Sequence, residues 1–285
     1  ALKVIRPEHS TDARFRERFR RESRVAASID HPNVIPILDA GEEGGVLYLS
    51  MRLVEGTDLR QVIEAQGGVE PLRAARVVGR VGAALDAAHA RGLVHRDVKP
   101  ANVLLARADH VYLSDFGLAK PAEEAGGLTR EGSIVARAEY VAPEQLVEDR
   151  VDALTDVYAL GCLLYEALTG EPPYAGSQQG PAMLAHVNEP PPSPRERRPS
   201  LPPAFDDVVR RAMAKDPGER YPSAGDLGLA ALVAAGGLRR APAESIVATG
   251  DAAPLAAMPG LSRAPLPASE PAEAPTPAAA PDANR

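Results

Sequence analysis

Short apolar runs open the chain, and a helical periodicity dominates the rest of it. Residues 2–5, Leu2-Lys3-Val4-Ile5, read as a short strand. Residues 12–29 read as a charged amphipathic helix, closed by Asp30-His31-Pro32-Asn33. Two more strand-like runs lie at residues 35–38 and 46–51, joined by a turn-rich stretch at residues 41–45. From about Asp58 the pattern turns helical. Residues 74–90 carry apolar side chains at helical spacing, with Gly92 as the stop. Val103-Leu104-Leu105 and Val111-Tyr112-Leu113 predict a small hairpin, and helices return at residues 156–168 and 204–214. The pattern predicts an α+β, bilobal chain: a small sheet-plus-helix lobe at residues 1–54, then a larger, mainly helical lobe at residues 55–235.

Composition marks off the end of the chain. Residues 241–285 hold 24 Ala or Pro out of 45. Such a segment buries too little apolar surface to offset its ordering entropy, so residues 236–285 are expected to be a disordered linker or tail. The formal net charge is −7, from 32 basic and 39 acidic residues, which gives no global basic field for nucleic acid. Aromatics are 4% and Trp is absent, which weakens a base-stacking role. The lone Cys162 cannot form an internal disulfide and lies in an apolar run, where it reads as a small buried hydrophobe in a reducing cytoplasm. No run of about 18 apolar residues is visible, so no membrane contact is expected from this chain.

One short loop gathers reactive groups. His95-Arg96-Asp97-Val98-Lys99-Pro100-Ala101-Asn102 puts a carboxylate, an amine and a carboxamide together, and Asp115-Phe116-Gly117 begins thirteen residues after Asn102. These groups suit the in-line transfer of a metal-bound phosphoryl group to a hydroxyl. Other residues have plain readings when taken singly. Lys3 on a strand is an edge lysine, and Glu22 in a charged helix is a surface acid. The arginines around Glu22 (Arg16, Arg18, Arg20, Arg21 and Arg24) read as a solvated face.

The combined motifs resemble the catalytic core of the bacterial, eukaryotic-like (Hanks-type) Ser/Thr protein kinases, over about residues 1–235. That resemblance implies a role for each motif residue. Asp97 is the catalytic base or orients the acceptor hydroxyl, and Lys99 neutralises charge on the transferring phosphoryl group. Lys3 binds the α- and β-phosphates of ATP and pairs with Glu22. Met51 and Leu53 at the hinge, with Leu104, line the adenine pocket, and backbone groups near residues 52–54 meet the adenine edge. Asn102 and Asp115 hold Mg²⁺, or Mn²⁺ in its place. His95 is structural. Arg96 would pair with a phosphate placed on Thr129 or Ser133 of the activation segment. Glu144, in Ala142-Pro143-Glu144, forms a buried ion pair with Arg220, and Asp156 accepts bonds from the backbone near His95 and Arg96.

The resemblance thus implies a protein-serine/threonine kinase of the non-specific class, with protein substrates and a homodimer for trans-autophosphorylation. It further implies a cytoplasmic domain whose full-length form is anchored to a membrane beyond this chain. Two departures stand out. No Gly-rich phosphate loop precedes Lys3, so the chain is expected to be truncated ahead of it. Ala136-Arg137 stand where the family has Gly-Thr, so weakened transfer is expected, with Arg137→Thr plus Ala136→Gly restoring it. Two other function classes arise from these residues. One is a pseudokinase or scaffold that binds nucleotide with little turnover. The other is a small-molecule kinase acting on aminoglycosides, against which Lys99 and the Glu144–Arg220 anchor speak.

Overall fold

A computed structural model describes residues 1–5, 12–116, 139–147, 151–175 and 182–236. The first lobe is a three-stranded antiparallel sheet backed by one helix. Its strands are β1 (Leu2–Val4), β2 (Ile37–Glu43) and β3 (Val46–Met51), in the order β1-β3-β2. Strict alternation in β3 turns Leu47, Leu49 and Met51 inward. They meet α1 (Ala13–Ala27), whose Phe15, Phe19, Glu22, Ser23 and Ala26 recur at helical spacing and are buried. Asp12 caps α1 by accepting from the Arg14 N–H, and Arg16 and Arg20 clamp Glu42 of β2 at 2.5 and 2.7 Å. The chain turns later than the sequence suggests. β2 runs through Gly41, and the turn is Gly44-Gly45, both at positive φ (56° and 82°), as a two-residue hairpin demands. Gly41 stays in the strand because a Cβ there would lie 2.8 Å from the Tyr48 hydroxyl oxygen, its cross-strand neighbour.

The second lobe begins with β4 (Gly56–Asp58), which forms a sheet with β5 (Val103–Ala106) and β6 (Val111–Leu113) in the order β4-β5-β6. Its helices are α2 (Leu59–Gln66), α3 (Pro71–His89), α4 (Pro143–Leu146), α5 (Ala153–Thr169), α6 (Ala182–Asn188), α7 (Pro194–Arg197), α8 (Ala204–Ala212) and α9 (Ala224–Ala234). α5 is the axis of this lobe: every residue from Thr155 to Leu168 is buried, so it reads as apolar all round. α3, α8 and α9 pack around it. α9 is tied down by a cap from another helix: Asp86 of α3 accepts from the Ala224 and Gly225 N–H groups at 3.0 and 2.9 Å. The sheet-plus-helix lobe and the mainly helical lobe give the bilobal α+β architecture. Among the described residues no helix is long and apolar enough to cross a membrane. The expected tail at residues 237–285 lies outside the described residues.

Candidate active site

The β5–β6 hairpin sets the site by holding its two flanks together. Residues 95–102 lead into β5 and Ser114-Asp115-Phe116 leave β6. Ser114 donates to the Asn102 carbonyl from its N–H (2.9 Å) and its hydroxyl (3.1 Å), so the loop and the strand end are pinned. His95 is fully buried. Its Nδ1 accepts from the Asp97 N–H at 3.2 Å, its Nε2 lies 3.0 Å from the Ser114 carbonyl, and its ring packs on Phe116. An Nδ1 that accepts and an Nε2 that donates define a neutral tautomer, and the ring serves as a brace.

Asp97, Lys99 and Asn102 are brought into contact. The Asp97 Oδ2 lies 3.0 Å from the Lys99 Nζ and accepts from the Asn102 Nδ2 at 3.1 Å. The same Nδ2 donates to the Asp97 carbonyl at 2.7 Å. With its nitrogen turned to Asp97, the Asn102 amide has an oxygen without a partner among the described residues. Asp115 sits at φ 59° and pairs with Lys3 across the lobes, Nζ to Oδ1 at 2.8 Å. That pair is one-third exposed, so it lies at a surface that a ligand can reach. One carboxylate and one amide oxygen are hard oxygen donors that fit a divalent cation completed by water, and the nearby ammonium suits the phosphate oxygens instead. No cluster of three or more His, Cys, Asp or Glu fit for a metal occurs among the described residues.

The expected Lys3–Glu22 pair is not formed, which corrects the sequence reading. Lys3 is held by Asp115, and Glu22, 9% exposed, turns its Oε1 to the Arg96 Nη1 at 3.5 Å. Arg96 stands at φ 62°, a conformation that costs a non-glycine residue roughly 1–3 kcal/mol unless its surroundings hold it. Asp156 holds it, accepting from the Arg96 N–H at 2.8 Å on Oδ1 and from the His95 N–H at 2.7 Å on Oδ2.

At the hinge, Met51 is buried at the end of β3 and Leu104 is half-buried on β5, while Leu53 is exposed. The Arg52 N–H is used by the Pro36 carbonyl at 3.0 Å. The Arg52 carbonyl and the backbone groups of Leu53 and Val54 have no hydrogen-bond partner among the described residues, so they form the open polar edge. Below the site, Arg220 grips Glu144 with two parallel bonds of 2.7 and 2.8 Å, both side chains buried, and Thr155 adds a third at 2.9 Å. Burial pushes the Glu144 carboxyl up, but the guanidinium and these bonds outweigh it, and it titrates below the ordinary carboxylate range. Further along α5, Glu166 takes the Tyr140 hydroxyl, and burial pushes its carboxyl up to about 7.

Gly117, Thr129, Ser133, Ala136 and Arg137 lie outside the described residues. Two residues escaped the sequence reading: Ser114, whose only signal is its place before Asp115-Phe116, and His89, whose Nε2 lies 2.7 Å from the Asp156 Oδ2.

Residues 1–227 match the family model described as "Protein kinase domain". The serine/threonine-protein kinase PknH of Mycobacterium bovis is 48% identical over 231 residues, covering 81% of this chain and 39% of that protein. The serine/threonine-protein kinase PknD of Mycobacterium tuberculosis is 44% identical over 267 residues, covering 92% of this chain and 40% of that protein. The crystal structure of the Mycobacterium tuberculosis PknI kinase domain is 34% identical, with a TM-score of 0.66 over 82% of this chain and 84% of that one. The chain spans about two-fifths of the length of the curated relatives it matches. It belongs to the protein kinase domain family.

Proposed function

We propose that this protein kinase domain transfers the γ-phosphate of ATP to Ser and Thr hydroxyls of protein substrates. The observation that carries the proposal is the joined set of Asp97, Lys99 and Asn102, tied through Ser114 to the strand end that carries Asp115 and its partner Lys3. In this reading the Asp97 carboxylate accepts a hydrogen bond from the substrate hydroxyl and aims its oxygen at the γ-phosphorus. The oxygen–phosphorus bond forms as the bond to the ADP oxygen breaks, and the hydroxyl proton passes to Asp97. The Lys99 ammonium, already on Asp97, offsets charge on the passing phosphoryl group. Lys3 exchanges Asp115 for phosphate oxygens, which frees Asp115 for a cation. Asn102 through its amide oxygen and Asp115 would hold Mg²⁺, or Mn²⁺, which would offset the negative charge of the phosphates. Met51, Leu104 and Leu53 flank the adenine.

The same reading extends to regulation and setting. A phosphate on Thr129 or Ser133 would compete with Glu22 for Arg96 and so release Glu22 toward Lys3. A homodimer would place one activation segment in its partner's site, and the domain would work in the cytoplasm. The curated relatives named as serine/threonine-protein kinases support the protein acceptor. So does the bidentate Glu144–Arg220 anchor. The test is ATP labelled at its γ-phosphate with Mg²⁺, offered a mixed basic protein and, separately, aminoglycosides. Phosphoserine or phosphothreonine is expected in the protein. Nucleotide binding without transfer would favour a scaffold, and label in the aminoglycoside alone would make it a small-molecule kinase.

A further inference from the structure

We propose that His186 is a positioning residue for the protein acceptor: its ring latches the Glu139 carbonyl and so seats the strip that runs from Glu139 to the Glu144 anchor. The proposal rests on the kinase reading, in which the Glu144–Arg220 anchor speaks for a protein acceptor. His186 lies on α6 and has no exposed surface. Its Nδ1 is 2.8 Å from the Tyr158 hydroxyl on α5, and its ring meets Tyr174 edge-on, with centroids 4.9 Å apart. Its Nε2 is buried and has no hydrogen-bond partner among the described residues. A buried polar atom left open is costly, and native proteins rarely keep one without a use.

The protons around the ring can be assigned. Lys215 donates from Nζ to the Ala185 and His186 carbonyls at 3.4 and 2.7 Å and to the Tyr174 hydroxyl at 3.0 Å, which uses its three N–H groups. Tyr174, itself at φ 63°, gives its proton to the Glu189 and Pro190 carbonyls, each at 3.2 Å. These bonds fix the end of α6 and with it the place of the ring. Burial, and then the Lys215 ammonium, hold the ring down to about 4, so it is neutral and carries one proton, while the Glu139 carbonyl works the other way. A nitrogen lone pair is repelled by a carbonyl oxygen and an N–H is attracted. The proton therefore sits on Nε2, and Nδ1 accepts from Tyr158. The next residue, Tyr140, gives its hydroxyl to Glu166 of α5, and α4 packs on α6. Closing the Nε2–H bond on Glu139 gives the strip a second fixed point beside Tyr140, on a different helix. Lys3, Met51 and Leu104 take no part in these contacts.

The test compares His186→Leu and His186→Gln in the full chain, because a Gln amide places an N–H where Nε2 stands and Leu does not. His186→Leu should raise the KM for a mixed basic protein at least about fivefold, with the KM for ATP within about twofold, and His186→Gln should recover most of the loss. An unchanged KM for the protein, or Gln as poor as Leu, overturns the proposal. Hydrogen–deuterium exchange reads the latch without turnover. The Ala142 and Gln145 amides are bonded within the strip, at 3.0 Å each, and should exchange at least about tenfold faster in His186→Leu. The Arg220 amide, bonded to the Pro217 carbonyl at 3.1 Å, should keep its rate. Unchanged exchange in the strip overturns the proposal, and so does an equal rise at Arg220, which would make His186 a packing residue of the whole lobe. If the parent chain transfers no phosphate to any acceptor, the kinase reading fails by itself, and the exchange comparison still decides whether His186 holds the strip.

Discussion

Charges at the site are shared between groups that compete for the same partners. Lys3 sits on Asp115 and Glu22 turns to Arg96, so the ammonium that would meet phosphates is already near them and the glutamate is held in reserve. Lys3→Met removes the ammonium beside Asp115. We expect it to raise the Kd for Mg-ATP at least tenfold, measured by titration calorimetry, with no change in melting temperature beyond about 2 °C, since so exposed a pair adds little to stability. The motif residues Asp97, Lys99, Asn102 and Asp115 were legible because their chemistry demands those types at that spacing. The partners of Lys3 and Glu22 were not. Nothing in a linear sequence says which of two nearby opposite charges a flexible side chain takes. His89 was equally silent, since a histidine at a helix end has no local signature.

Two contacts carry information that runs between elements. Asp86 on α3 caps the N-terminus of α9, where the Ser223 hydroxyl accepts from the Asp226 N–H. Asp86→Ala leaves two helix-end N–H groups without their acceptor and should cost about 1–2 kcal/mol, seen as a shift in urea midpoint. α9 itself was hard to foresee: its sequence Ala-Gly-Asp-Leu-Gly-Leu-Ala-Ala-Leu-Val-Ala is small and apolar on nearly every face, so it lacks a periodic stripe. α1 and α3 were easy by contrast, because one face of each is buried at strict spacing and the opposite face is polar. The late hairpin turn was missed because Gly41 looks like a turn residue, whereas its missing side chain makes room for Tyr48. The second contact is the Glu144–Arg220 fork. Arg220→Met leaves a buried carboxylate unpaired and should cost about 3–5 kcal/mol by chemical denaturation, while Arg220→Met with Glu144→Leu should recover much of that loss.

At the scale of the whole molecule, stability should depend on pH through Glu166. The carboxyl keeps its proton to about 7 in the folded protein because of burial, whereas an unfolded glutamic acid loses it near 4.5. Between those values the folded state binds more protons, so stability falls as pH rises through this window. In Glu166→Gln the loss is absent. The variant should match the parent near pH 4.5 and exceed it by about 3 kcal/mol at pH 8, from a shift of roughly 2.5 pH units. Equal stability of the two at both pH values would contradict the burial argument. The two-lobe plan was legible from periodicity and turn residues alone. The central role of α5 emerged only when its unbroken burial was seen, because a helix apolar on all faces has no amphipathic signal.

In the proposed function, transfer turns on Asp97 as the group that would aim the acceptor hydroxyl. The most direct measurement is single-turnover transfer of labelled γ-phosphate to a protein acceptor by the parent chain and by Asp97→Asn, with Mg-ATP affinity measured on both. Transfer should be at least a hundredfold slower in Asp97→Asn, with the Kd for Mg-ATP changed less than threefold. Transfer by Asp97→Asn at the parent rate would contradict that role.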